Sequence, residues 1–207
     1  MKKRIVSILL VATLILGCFT VTSFGATTTK TMTTYSEVIK SGKYAYCAAG
    51  SYIYRVNVNT KSKKRIAKVS AYVTDMKMYK GYIYFKGAHN TGTYLYRVKK
   101  TGKYLKKIAP SVEDYAISGS RIYYRVYVDR YDDVNDVDRS YTTVRSMKLN
   151  GTNKRSAKSY KVKEIYKRTN TKGYRITSRY NEDDGKFTFY LKFPSGKKVF
   201  LRKQFMS

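Results

Sequence analysis

The chain has 207 residues and carries 43 Lys and Arg against 13 Asp and Glu, a formal net charge of +30 with one His and no Trp. Such an excess creates a long-range field that attracts polyanions and repels further copies of the chain. With one His, two Cys, no phosphate-cradling glycine loop and no dinucleotide fingerprint, the sequence sets aside Ser-His-Asp, His-metal, dithiol and nucleotide-dependent chemistry.

Residues 1–26 read as a secretory signal peptide. Lys2, Lys3 and Arg4 open it, Ile5 to Gly17 is almost wholly apolar, and Ser23-Phe24-Gly25-Ala26 supplies a small-residue exit with cleavage after Gly25 or Ala26. The apolar run is short for a membrane span. A rival reading is lipid attachment at Cys18, because Ile15-Leu16-Gly17-Cys18 approximates the sequence before a lipidated cysteine. Leu16 is bulky there, and Phe19-Thr20-Val21 prolongs the apolar run, so release is favoured. The expected location is secreted, extracellular or cell-wall associated, with a lipid anchor through Cys18 as the alternative.

Taking three cations from the +30 total leaves +27 on the remaining 181 residues. A chain of that length suits one domain with a sizeable core. Cys47 is then the only thiol, so no internal disulfide is expected, and its strand context reads as a buried small apolar residue. Residues 27–34, Thr-Thr-Thr-Lys-Thr-Met-Thr-Thr, form a polar leader without periodicity, expected to be a flexible tether.

From residue 35 to 205 a Tyr-rich strand pattern returns four times, as Gly42-Lys-Tyr-Ala-Tyr-Cys47, Gly81-Tyr-Ile-Tyr-Phe85, Gly119-Ser-Arg-Ile-Tyr-Tyr124 and a degraded Gly173-Tyr-Arg-Ile-Thr177. The intervals are 39, 38 and 54 residues, the last containing an insertion. A period near forty made of strands and turns predicts stacked four-stranded units. The first copy (35–70) reads as strands 37–40, 44–48, 52–58 and 65–69, and the second (71–110) as 74–79, 82–86, 94–99 and 104–109, with a loop at 87–93. The third (111–160) reads as 114–117, 122–128, 142–149 and 155–158, and the fourth (161–205) as 164–167, 174–179, 187–193 and 198–203. Lines such as Tyr82-Ile-Tyr-Phe85 are apolar on both faces, as in strands covered on both sides. Most of the 23 Tyr fall at repeated strand positions and read as packing. Tyr127, Tyr131 and Tyr141, beside the insertion, stand apart. The fold class is all-β, a β-propeller-like series of four antiparallel meanders, either closed into a small ring or left as an open arc.

Gly81-Tyr-Ile-Tyr-Phe85, Tyr94-Leu-Tyr-Arg-Val98, Thr101-Gly102 and the parallel Tyr52-Ile-Tyr-Arg-Val56 give the chain its likeness. It resembles the Tyr-rich, propeller-like repeat proteins exported by Gram-positive bacteria, many of unknown function. That resemblance implies a fold and a surface or extracellular location, without an established enzyme activity and without a site. The fourth copy departs from it by lacking the Tyr-Ile-Tyr, the third by its insertion.

An up-and-down meander puts the turn between strands one and two on the same edge as the turn between strands three and four. The first kind carries Lys40 and Lys43, Lys80, Arg121 and Lys172. The second carries Lys61, Lys63 and Lys64 in the first copy, Lys99, Lys100 and Lys103 in the second, Lys154 and Arg155 in the third, and Lys197 and Lys198 in the fourth. These ten are the candidate anion-binding residues of one basic rim. The opposite edge receives the insertion 129–138 with five of the thirteen acids, and Glu182-Asp183-Asp184. Asp132, Asp133, Asn135, Asp136 and Asp138 raise calcium binding, yet the spacing lacks the Gly and closing Glu of an EF-hand loop, and a solvated acidic loop is the preferred account.

Glu37, Asp75, Asp114 and Glu164 recur at matching points and read as structural partners for Arg and Lys. His89, the lone His, lies in a loop. The expected function is a non-catalytic exported binding module that contacts an anionic wall polymer, an acidic polysaccharide or an acidic protein. The alternative is a secreted hydrolase or lyase acting on an acidic polysaccharide through paired carboxylates. No cofactor, metal, membrane span or physiological nucleic acid partner is expected.

Overall fold

The computed structural model describes residues 31–32, 38–128, 130–132, 136–138, 140–158 and 173–205. Every regular element among them is a β-strand. After β1 (Thr31–Met32), the first copy folds as β2 (Val38–Ser41), β3 (Tyr44–Ala49), β4 (Tyr52–Asn57) and β5 (Lys63–Lys68), paired in that order. The second copy is the same meander in β6 (Tyr72–Tyr79), β7 (Tyr82–His89), β8 (Gly92–Lys99) and β9 (Lys106–Ala109). In the third, β10 (Val112–Ser118) and β11 (Arg121–Val128) are followed by a small hairpin of β12 (Tyr131–Asp132) and β13 (Val137–Asp138). The sheet then resumes with β14 (Tyr141–Lys148) and β15 (Arg155–Ser156). The fourth contributes β16 (Arg175–Asn181), β17 (Lys186–Lys192) and β18 (Lys198–Phe205).

Two details differ from the sequence reading. The strand expected over 164–167 lies outside the described residues, and the place beside β16 is taken by β1, with Thr31 opposite Arg179 and Met32 opposite Ser178. Two residues of the expected tether are therefore a strand. An exposed sheet edge offers unpaired N–H and C=O groups, and an extended polar segment that reaches it satisfies them. The loop expected at 87–93 is also shorter, because β7 and β8 stay paired out to His89 and Gly92 and turn at Asn90-Thr91. The signal segment 1–26, with Cys18, lies outside the described residues.

Three cores hold the four sheets side by side. Tyr46, Ile53, Val73, Ile83 and Phe85 belong to the cluster between the first and second sheets. Tyr84, Leu95, Tyr115, Ile122, Tyr124 and Met147 fill the seam between the second and third. Ala45, Cys47, Val56, Phe187, Phe189 and Leu191 join the first sheet to the fourth. Each fully buried large side chain contributes about 1.5–3 kcal/mol. No such cluster joins the third sheet to the fourth among the described residues, so the spatial order is fourth, first, second, third. The fourth sheet thus packs on the first, the first on the second and the second on the third.

The seams explain the repeat. In the first and second copies a Tyr beside the opening turn lies under the Arg of the third strand: Arg55 sits 4.6 Å from the Tyr44 ring and Arg97 4.7 Å from that of Tyr82. Between the second and third sheets the Lys77 amine donates to the Tyr115 carbonyl at 2.6 Å, and the Tyr115 hydroxyl donates to the Asp75 carbonyl at 2.6 Å. A Cβ at Gly102 would fall 3.0 Å from the Ile66 carbonyl oxygen, and one at Gly151 2.8 Å from the Ile108 Cβ. Each of these turns thus rests on the fourth strand of the preceding sheet, with a positive φ that glycine adopts without strain.

Candidate functional site: a basic rim

Antiparallel order in every sheet sets the β2–β3 and β4–β5 turns on one edge, and likewise in the other copies. The backbone ties them: the Val58 N–H donates to the Lys43 carbonyl at 2.9 Å, and the Lys100 N–H to the Gly81 carbonyl at 3.0 Å. The sheets also share one orientation. Gly102 of the second sheet abuts Ile66 of the first, and Gly151 of the third abuts Ile108 of the second. Lys63 of the first donates to Phe200 and Leu201 of the fourth. Two turn-on-strand contacts and the Lys63 side-chain tie thus carry the rim across the four sheets.

Along that line lie Lys197 and Lys198, then Lys61, Lys63 and Lys64, then Lys99, Lys100 and Lys103, then Lys154 and Arg155. None of the thirteen acids falls in any of these turns, so the positive field there is not neutralised locally. Lys64, Lys100, Lys103, Lys154, Arg155 and Lys197 are exposed, and their side chains make no hydrogen bond or ion pair among the described residues.

Three candidates have other work. Lys61 is half-buried, donates to the Val58 carbonyl, and places its amine 3.9 Å from the Phe193 ring of the fourth sheet. Lys63 donates at 2.9 Å to both the Phe200 and Leu201 carbonyls, and its partial burial pulls its pKa below the usual lysine value. Lys99 is half-buried with its amine 4.7 Å from the Tyr104 ring. Lys61 and Lys63 are ties between the first and fourth sheets. A long lysine stem over an aromatic ring beside an orphan carbonyl is a packing solution that strand spacing does not reveal.

Glu182, Asp183, Asp184 and Asp136 lie on the opposite edge. Asp184 accepts from Lys203 and lies 4.0 Å from Lys186, and the Lys203 hydrogen bond holds its carboxyl below the usual range. Glu182 and Asp183 are exposed beside it. The Tyr131 hydroxyl donates to Asp136 in the β12–β13 hairpin. The side chains of Asp132, Asp133, Asn135 and Asp138 lie outside the described residues, and no group of three His, Cys, Asp or Glu is set to hold a metal among the described ones. Asp75 sits 3.7 Å from Lys77 and Asp114 pairs with Arg125, each within its own sheet. Glu37, Glu164 and Lys172 are outside the described residues. Tyr127, Tyr131 and Tyr141 are exposed, whereas Tyr46, Tyr84, Tyr115 and Tyr124 are buried. His89 bonds the Tyr96 hydroxyl at 2.8 Å, and Cys47 is buried with its thiol pKa pushed up by that burial.

No family model matches the chain, and no curated protein matches it. Among solved structures it is similar to the N-terminal domain of Nup159, at 11% identity and a TM-score of 0.43, covering 81% of this chain and 47% of that one. It is similar to a prolyl endopeptidase at 15% identity and a TM-score of 0.42, covering 86% of this chain and 27% of the other. It is similar also to an oligogalacturonate lyase in complex with manganese, at 13% identity and a TM-score of 0.40, covering 82% and 52% respectively. The chain thus spans about half, or less, of these three structures. At these identities none of the three assigns a family or a chemistry to it.

Proposed function

We propose that this protein is an exported, non-catalytic β-repeat module that holds an anionic cell-envelope polymer, or an acidic protein partner, along the basic rim. One observation carries the reading: exposed cations from all four sheets fall on one edge, and none of the described acids lies in its turns. Each cation near a dense anionic surface contributes on the order of 1 kcal/mol, so a shared line of six or more supplies useful retention from individually weak contacts. Attraction of this kind weakens as salt shortens the Debye length.

Reversing Lys64, Lys100, Lys103 and Lys154 to Glu removes four cations without touching the ties made by Lys61 and Lys63. The variant should elute from immobilised anionic wall polymer at clearly lower salt than the parent. Equal elution salt would dismiss the rim. Fractionating a producing culture into medium, wall and membrane, with a high-salt wash of the wall, tests export and electrostatic retention together. Salt-released protein in the wall fraction is expected, and protein confined to the cytoplasm would refute export.

A further inference from the structure

The fourth sheet turns Phe187, Phe189 and Leu191 towards the first sheet. Its other face has no sheet against it among the described residues. Strand alternation and register arrange that outer face in rows crossing β16, β17 and β18. The row nearest the rim is Arg175, Lys192 and Lys198, and the next contains Tyr190 and Phe200. Phe200 is 48% exposed, and its ring stands 6.0 Å from that of Tyr190 at 66°. The Lys198 amine lies 5.9 Å from the Tyr190 ring. Arg175, Lys192 and Lys198 have no acidic partner among the described residues, because Asp184 is taken by Lys203 and Lys186. The outer face of the third sheet differs in part. There Arg121 donates to Ser146 and Asn153 and Arg125 pairs with Asp114, while Lys148 and Arg155 of the same face have no acidic partner among the described residues.

Charge selects what the fourth-sheet face can take. A second copy would oppose cations to cations, whether its fourth-sheet or its third-sheet face met this one. Residues 159–172 of the chain itself carry five cations to one acid. The complement is a polyanion whose repeat unit also offers an apolar ring face. The Tyr190 and Phe200 rings are inclined at 66° and the Lys63 amine lies 4.5 Å from the Phe200 ring, a setting that fits a single pyranose face better than successive coplanar bases, which stack on rings lying flat.

We propose that the outer face of the fourth sheet binds an acidic polysaccharide, with a sugar ring on Phe200 and Tyr190 and carboxylates at Arg175, Lys192 and Lys198. The proposal rests on the rim as the polyanion-binding edge, of which Lys198 is a member, and adds that the polymer is built of sugar rings.

The test measures binding of the full chain, at about 0.15 M salt, to alginate, to polyphosphate of matched charge, and to single-stranded oligo(dT). Phe200→Leu keeps apolar volume beside Lys63 while removing the ring, and Lys100→Glu with Lys103→Glu alters the rim alone. Phe200→Leu should weaken alginate binding about fivefold and leave polyphosphate within about twofold, the scale of one lost ring contact. The rim variant should weaken both polymers. If Phe200→Leu changes neither polymer while the rim variant weakens both, the ring-face site is overturned and the rim stands. If Phe200→Leu weakens alginate and the rim variant changes nothing, the face stands and the rim falls. Preferred binding of oligo(dT), lost in Phe200→Leu, would assign the face to nucleic acid and overturn the proposal.

Discussion

Lys63 and Lys64 are neighbours in sequence with opposite employment. Lys63 Nζ serves two carbonyls of the fourth sheet, and Lys64 faces solvent. Lys63→Ala leaves those carbonyls without their donor and should cost about 1 kcal/mol, a value reduced from that of a buried charged hydrogen bond because the side chain is largely exposed. Lys64→Ala should stay within about 0.5 kcal/mol of the parent. Urea unfolding of the two variants separates them, and equal midpoints would deny the tie. The tyrosines make a second residue-level prediction. Burial raises the pKa of Tyr46, Tyr54, Tyr72, Tyr84, Tyr96 and Tyr124, partly offset at Tyr46 by Arg55 and at Tyr84 by Arg97. Their unfolded forms ionise near pH 10 while the folded forms keep their protons, so the native state binds more protons above that pH. Their contribution is intact below about pH 10 and is lost as pH rises towards the raised folded values. Melting temperature followed upward from about pH 9 should fall once pH 10 is passed. A flat profile would contradict the burial of these phenols.

At the scale of elements, the turn of each sheet on its predecessor is the contact that copies itself. Gly102 has φ +94 with Ile66 backbone against it, and Gly151 has φ +88 with Ile108 against it. Gly81 has φ +77 and open space. Alanine at Gly81 meets only the conformational cost of roughly 1 kcal/mol, while alanine at Gly102 or Gly151 adds a clash and should cost about 2–4 kcal/mol. Thermal unfolding that ranks Gly81→Ala as the worst of the three would sink the seam geometry. Most of these elements were legible in the sequence. Glycine turns and Tyr-Ile-Tyr lines mark β3, β4, β7 and β8 within a residue or two at their starts, because local turn chemistry and a doubly apolar strand are properties of short segments. The partner of β16 was not legible. Thr31 and Met32 show no alternation, and what places them is an unpaired edge far along the chain. The hairpin β12–β13 likewise leaves no trace in the sequence, since two-residue strands have no period. The duties of Lys61 and Lys63 escaped for a related reason, as they are contacts between sheets.

For the whole molecule the sheet order fourth, first, second, third decides what is displayed. Repeat period predicts that neighbours in sequence pack together, and for the first three copies they do. The fourth packs on the first, and among the described residues no sheet covers the other face of the third or of the fourth; from Lys197 and Lys198 the rim passes onto the first sheet. The central claim is that turns from separate sheets act on one polymer as one surface. Its direct measurement is the salt dependence of binding to a single anionic wall polymer for three double charge reversals, one per sheet: Lys100 with Lys103, Lys154 with Arg155, and Lys197 with Lys198, each to Glu. Every pair should lower affinity and shallow the slope against salt by a similar amount, and the triple combination should approach the sum. Loss confined to one pair, or binding indifferent to all three, would contradict a rim shared between sheets.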